Sequence, residues 1–267
     1  MFRRNPRART SERSLLAWLG LSLMVVSFVW LQVTAVPRSL TRLELPPPPT
    51  APFAVVVIDP GHGGQDSGTS KNGLVEKELT LDVAHRVERQ LQERGFVAVM
   101  TRADDSYVSL QDRAAIANNQ PESVFVSIHF DEAGRTAATG IETYYAAHPI
   151  SFPARVASWL PFLQRTSSEP PNLESQSLAA FIEESLVVHT QATNRGTRPQ
   201  QFYVIANVRH PAVLVEGGFL TNKEDVVKLV NADYRELMAA GIAQGILQYR
   251  DTLLEKRTPL AVDLPSR

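Results

Sequence analysis

Four side chains stand where chemistry is most easily mounted. His62 lies in the turn Gly61-His62-Gly63-Gly64, directly after the apolar run Val55 to Ile58 and the pair Asp59-Pro60. His129 follows Val124-Phe125-Val126-Ser127-Ile128, and Glu216 follows Val213-Leu214-Val215 and precedes Gly217-Gly218. Short β-branched runs of this kind read as strands buried on both faces. Proline and glycine cannot continue them, so the chain turns at their carboxyl ends. In an open α/β sheet, ligands bind along that edge. If the strands are parallel, His62, His129 and Glu216 share it. Glu76 opens the helix that follows the first strand, and that helix end faces the same edge.

The chain has no cysteine, which excludes disulfides and thiolate metal ligands. Any metal must be held by His, Asp or Glu. Two imidazoles and one carboxylate form a common catalytic Zn2+ set, with the fourth position left for water. A further carboxylate is then needed to take the proton from that water. Placement makes His62, Glu76 and His129 the candidate ligands and Glu216 the candidate base, because a strand terminus is a rigid mount. Asp59 is a candidate for holding an imidazole from behind. The spacing is not a local motif, so the alternative that each group merely caps or turns the chain stays open.

Alternating elements must carry these groups. Strands are expected at Ala54–Ile58, Phe96–Thr101, Ser123–His129, Gly140–Ala146, Phe202–Ala206 and Ala212–Glu216. Helices are expected at Glu76–Arg94, with Leu79, Val83, Val87 and Leu91 at steps of four and Gly95 as a stop signal, and at Leu110–Asn119, Glu174–Thr190, Asn222–Val230 and Ala232–Tyr249. The alternation argues for an α/β fold with a mixed, mostly parallel sheet and helices on both faces.

With 267 residues, the chain has room for one ordinary domain and some 50 residues beyond it. Residues 1–13 carry Arg3, Arg4, Arg7, Arg9 and Arg13 against Glu12 alone. About 22 uncharged residues follow, Leu15 to Val36, enough to cross a bilayer as a helix. The arginines place the N-terminus in the cytoplasm and export the rest. Residues 14–36 are therefore expected to be a transmembrane anchor or a signal peptide, the latter with Val33-Thr34-Ala35 as its cleavage site. Residues 37–52, with Pro46-Pro47-Pro48-Pro49, read as an extended spacer. A catalytic domain is expected over 53–254 and a flexible tail over 255–267. The net charge of -1 gives no reason to expect nucleic acid as a partner.

Several ordered blocks now combine: Val57-Ile58-Asp59-Pro60-Gly61-His62-Gly63-Gly64, Gly73-Leu74-Val75-Glu76-Lys77, Thr101-Arg102, Leu110-Gln111-Asp112-Arg113 with Ala117-Asn118, Ser127-Ile128-His129, Gly140-Ile141-Glu142-Thr143-Tyr144-Tyr145, and Pro211 to Phe219 with Asn222 and Glu224. Together they resemble the zinc-dependent N-acetylmuramoyl-L-alanine amidases that cut bacterial cell-wall peptidoglycan. The resemblance runs from Ala54 to about Tyr249. It implies zinc held at His62, Glu76 and His129, a catalytic glutamate at Glu216, and peptidoglycan as substrate. It also implies a place in the cell envelope, on the periplasmic face of the inner membrane or free in the periplasm, with a division-machinery activator as a further partner. Two departures stand out. Asp131 occupies a position where the family usually has asparagine, and Asp66-Ser67-Gly68 replaces the usual Asp-Pro-Gly. Asp131 adds negative charge near the site.

Other groups are weighed lower. His85 reads as a surface residue, and His148, His189 and His210 lie without an acidic constellation. Residues 147–175 read as a surface helix packing on the sheet edge; the family's inhibitory helix, with Glu169 or Glu174 facing the metal, is the other reading. The loop Asn194–Arg198, with Arg195 and Arg198, can offer guanidiniums to substrate carboxylates. Competing functions are a zinc peptidase or sugar deacetylase, and a non-catalytic wall-binding protein, which the intact four-residue set argues against.

Overall fold

The computed structural model describes residues 52–131, 138–148 and 172–257. The expected anchor or signal at 14–36, nearly all of the spacer 37–52, Glu169 with most of 147–175, and 258–267 lie outside the described residues. Among the described residues, no helix is long and apolar enough to cross a membrane.

The chain alternates as expected. The elements are β1 (Val55–Pro60), the short pair β2 (Ser70–Lys71) and β3 (Leu74–Val75), α1 (Glu76–Glu93), β4 (Val97–Met100), α2 (Leu110–Asn118), β5 (Ser123–Asp131), β6 (Ile141–Tyr145), α3 (Leu173–Thr190), β7 (Asn194–Pro199), α4 (Tyr203–Ala206), β8 (Ala212–Phe219), α5 (Lys223–Val230) and α6 (Ala232–Arg257). The main sheet has the order β4-β1-β5-β8-β6-β7. β4, β1, β5 and β8 run parallel, while β6 is antiparallel to β8 and parallel to β7. β1, β5 and β8 thus lie side by side, and the carboxyl ends that carry His62, His129 and Glu216 share one edge.

Strand alternation sends successive side chains to opposite faces. Val56, Ile58, Val124, Val126, Val213 and Val215 pack under α1, α3 and α6, against Leu79, Val83, Val87, Leu178, Ile182 and Ile242. Val57, Phe125 and Leu214 pack under the much smaller α2 and α4, against Ala114, Ala117, Val204 and Ile205. The first layer uses helices of 18, 18 and 26 residues; the second uses 9 and 4. By the same alternation, Asp59, Ser127, His129, Glu142 and Glu216 belong to the face of α2 and α4.

Three expectations change. Where a strand was expected over 202–206, Tyr203–Ala206 form the short helix α4, and Val204 and Ile205 bury themselves against the second core. The edge strand lies just before it, as β7 in the expected Asn194–Arg198 loop, where pairing with β6 overrides a charged sequence. The terminal helix continues through Arg257, so the first residues of the expected tail, 255–257, are helical.

Glu183 of α3 ties that helix to the antiparallel corner. Its carboxylate accepts hydrogen bonds from Thr143 Oγ1 at 2.7 Å and Gly196 N at 3.2 Å. Burial pushes the acid up to about 7, outweighing those bonds. The folded chain then keeps a proton that the unfolded chain releases from its ordinary 4.5 upward, so stability falls as pH rises between about 4.5 and 7. Urea unfolding of metal-free protein across that range should show the decline. Glu183→Gln should flatten it, and an unchanged slope would assign the decline to other groups.

Candidate functional site

β1 ends in a turn that aims an imidazole across the sheet edge. Gly61 N donates to Ile128 O at 3.0 Å, tying the turn to β5. His62 follows with φ of 61°, a left-handed conformation uncommon for a residue with a side chain. Its Nε2 lies 3.0 Å from Glu76 Oε1, and its Nδ1 lies 2.9 Å from Asp66 Oδ2. His129, on β5, places Nδ1 3.0 Å from the same Glu76 Oε1. The two imidazole rings meet edge to face with centroids 4.8 Å apart. Glu76 is the first residue of α1 and is 4% exposed. Phe130 N donates to its Oε1 at 3.1 Å and Thr69 N to its Oε2 at 2.8 Å.

One ligand atom each from His62, Glu76 and His129 falls within 4.8 Å of the others. Burial works against ionising Glu76, but the hydrogen bonds and charges of His129 and His62 outweigh it and hold the carboxyl well below the usual range. Burial lowers the proton affinity of His62, and Glu76 followed by Asp66 more than reverses that. An ionised carboxylate between two imidazoles is the donor set of a divalent-cation site of the zinc type.

The backbone is built around these side chains. A Cβ on Gly61 would fall 2.3 Å from His129 Cε1, and one on Gly68, whose φ is 61°, would fall 2.5 Å from Glu76 Oε2 and 2.6 Å from His62 Cδ2. Gly61→Ala should therefore displace the His129 ring and lower activity by roughly 100-fold, the scale of an ångström-sized misplacement. Steady-state kinetics alongside a zinc titration would check this; unchanged values of both would mean the ring has room to move.

Glu216 stands one strand from His129 and directly in register with it, and Glu142 of β6 is in register on its other side. Glu216 is partly exposed as a residue, yet its Oε2 is buried without a hydrogen-bond partner in the described structure. Burial first, then the charges of Glu76, Asp131 and Glu142, push its carboxyl well above the ordinary value. Glu142 is 2% exposed and forms ion pairs with Arg195, at 3.3 Å, and with Arg198; Tyr144 Oη donates to it at 3.0 Å.

The remaining expected site residues are placed differently. Asp59 does not hold His62. Its Oδ1 accepts from Arg113 Nη1 at 2.7 Å and Thr101 Oγ1 at 2.6 Å, and its Oδ2 from Ser127 Oγ at 2.7 Å. Asp59 sits on the strand, beneath the turn, whereas Asp66 comes back within the turn and meets the ring. Asp131 ends β5, and its carbonyl accepts from Leu220 N at 3.0 Å. Arg198, on edge strand β7, pairs with Glu142, one strand beyond Glu216. His85 bonds Ala103 O and lies beside Glu88, and His189 bonds Ser185 O on its own helix. Glu174 lies exposed in the first turn of α3. Sequence reasoning missed Asp66, Glu142 and the buried Arg102 and Arg113. The one local signal was an acid four residues from His62 inside a glycine turn.

Known proteins of similar sequence and fold place the chain in a family. The chain is 37% identical over 196 residues to the uncharacterized protein YqiI of Bacillus subtilis, covering 73% of this chain and 84% of that protein. It is 36% identical over 194 residues to N-acetylmuramoyl-L-alanine amidase LytC of the same organism, covering 73% of this chain but 35% of LytC. The crystal structure of N-acetylmuramoyl-L-alanine amidase from Clostridium difficile 630 superposes with a TM-score of 0.63 at 34% identity, covering 76% of this chain and 99% of that one. The model of the N-acetylmuramoyl-L-alanine amidase family (Amidase_3) matches residues 56–248, and the chain belongs to that family.

Proposed function

We propose that this chain hydrolyses the amide between the lactyl group of N-acetylmuramic acid and the L-alanine that begins the stem peptide of peptidoglycan. The observation that carries the reading is the convergence of His62, Glu76 and His129, with Glu216 in register beside His129. The residues fit Zn2+, with His62, Glu76 and His129 as its ligands. When bound, zinc supplies Lewis acidity, polarising the carbonyl and acidifying a water molecule.

The protein's own groups do the rest. Asp66 takes the Nδ1 proton of His62 in a hydrogen bond, which leaves Nε2 free to ligate. Phe130 N and Thr69 N fix the two oxygens of Glu76. Glu216 accepts the proton of the attacking water and delivers it to the alanine nitrogen as the C–N bond breaks and the C–O bond forms. A carboxyl with raised proton affinity suits both halves of that transfer. The products are a lactyl carboxylate and a free amine. Asp131 and Arg198 are proposed to border the bound peptide, Asp131 as a negative charge beside the base and Arg198 as a half-exposed guanidinium.

The basic, then apolar, N-terminal sequence supports a place in the cell envelope, with 14–36 as anchor or signal, 37–52 as spacer and 53–254 as the catalytic domain. Digestion of purified peptidoglycan, followed by mass analysis of the fragments, tests the reaction. Free stem peptides beginning with L-alanine are expected. Cuts between peptide residues, or deacetylated sugars, would replace the amidase reading with a peptidase or deacetylase.

A further inference from the structure

We infer that Arg113 and Arg102 form a buried clamp that positions His62 as a metal ligand, by gripping the carbonyl oxygens of the turn that carries it. This rests on the reading of His62, Glu76 and His129 as the metal site.

The turn bends sharply between β1 and Gly63, and His62 holds a left-handed φ of 61° that its side chain disfavours. Local bonds close the chain after His62, from Gly63 N to Asp66 O at 2.8 Å and from Asp66 N to Gly63 O at 3.1 Å, and tertiary contacts hold the carbonyls on its other side. Three consecutive carbonyls of the turn receive guanidinium hydrogen bonds. Pro60 O accepts from Arg113 Nη1 at 2.6 Å and from Arg102 Nε at 3.0 Å. Gly61 O accepts from Arg102 Nη2 at 2.8 Å, with Thr80 Oγ1 also donating at 2.8 Å. His62 O accepts from Arg113 Nη2 at 2.6 Å.

Each arginine is also anchored by bonds outside the turn. Arg113 Nε bonds Val108 O at 2.9 Å, and Nη1 also meets Asp59 Oδ1 at 2.7 Å, with Asp59 fixed by Thr101 and Ser127. Arg102 reaches Lys77 O and Asp104 O, both at 2.9 Å, and Thr80 Oγ1 at 3.0 Å. The grip therefore spans β1, α1, the chain after β4 and the start of α2. It links the turn of His62 to the helix that begins at Glu76.

Both arginines are 3% exposed, and Asp59 is the carboxylate paired with Arg113, while Arg102 is held by backbone carbonyls and Thr80. Burying two guanidiniums is costly, and an apolar filling often gives equal or better stability. A planar fork with several fixed donors gives something an apolar side chain cannot, which is a defined position for each carbonyl. Those carbonyls set the direction in which His62 leaves the backbone.

Arg113→Lys and Arg102→Lys keep the charge and lose the fork. The reference is Arg86→Met, which breaks the α1–α6 ion pair Arg86–Glu236 at 2.8 Å, remote from the turn. Zinc affinity is read by competition with a chromophoric chelator, ligand geometry by the visible spectrum of the cobalt(II)-loaded protein, and fold by melting of the metal-free protein. The clamp predicts zinc Kd raised about 10–100-fold in both lysine variants, as for other residues that orient metal ligands. It also predicts altered cobalt bands, and a fall in kcat larger than any change in KM. Arg86→Met should lower the melting temperature and leave zinc Kd and the cobalt spectrum unchanged. Lysine variants that match the wild type in zinc affinity and cobalt spectrum would overturn the clamp. So would equal zinc loss in Arg86→Met, because the effect would then be general destabilisation. Wild-type protein that takes up no zinc would overturn the metal reading itself, and the clamp with it.

Discussion

Glu216→Gln is expected to lower kcat by about 10²–10⁴-fold, the usual yield of a positioned acid–base group, while the protein stays folded and binds zinc. Glutamine keeps the shape and loses the proton exchange. Glu216 Oε2 has no hydrogen-bond partner to forfeit, so the exchange breaks no described contact there. It also removes the cost of ionising a buried carboxyl beside Glu76, Asp131 and Glu142. The sign for stability follows from the raised proton affinity. A carboxyl that holds its proton more tightly when folded costs stability as pH rises, so the variant should melt at or above the wild type near neutral pH. The measurements are turnover of purified peptidoglycan, zinc content and a melting curve on one preparation. If both proteins digest walls at equal rates, Glu216 is not the base.

Glu76→Ala is the second large effect. The substitution removes the anionic member of the ligand set, leaving His62 Nε2 and His129 Nδ1 without the oxygen each approaches at 3.0 Å. It also strands the amides of Thr69 and Phe130. Loss of a residue that only orients a ligand costs about 10–100-fold in metal affinity, and loss of a ligand must exceed that. Zinc should dialyse out of the variant, and wall digestion should fall to background. Added zinc at 100 times the wild-type Kd should stabilise the wild type by about 2.7 kcal/mol and the variant by far less. Retention of one equivalent of zinc after dialysis would mean that the metal is held elsewhere.

The sequence was most informative where local chemistry and fold point the same way. Val55–Ile58, Val124–Ile128 and Val213–Val215 are apolar enough to be interior strands wherever they fall, and they became β1, β5 and β8, adjacent and parallel. Their terminal His62, His129 and Glu216 therefore met as expected. Glu76 could be placed because a helix start after a parallel strand has one available edge. Side-chain partners were less legible. Asp59 looked like a support for His62 because it is close in sequence, yet its partner is Arg113, 54 residues away. Such pairings depend on which elements cross beneath a turn, which periodicity does not encode. β7 was hidden for a related reason. Asn-Arg-Gly-Thr-Arg-Pro has no strand pattern of its own, and its conformation comes from the β6 backbone beside it. Val204 and Ile205 resembled a strand because four residues are too few to show a helical period.

The unequal cover of the sheet divides the molecule's tasks. Among the described residues, long helices cover one face, and the short α2 and α4 lie on the other, which carries the row of His129, Glu216 and Glu142. A cross-linked wall is a solid polymer that cannot enter a closed cavity, so an enzyme that cuts it must bring its reacting groups to the polymer. The groups stand on the face of the short helices, and the long helices behind the sheet supply the rigidity needed to hold them steady against a substrate that does not yield.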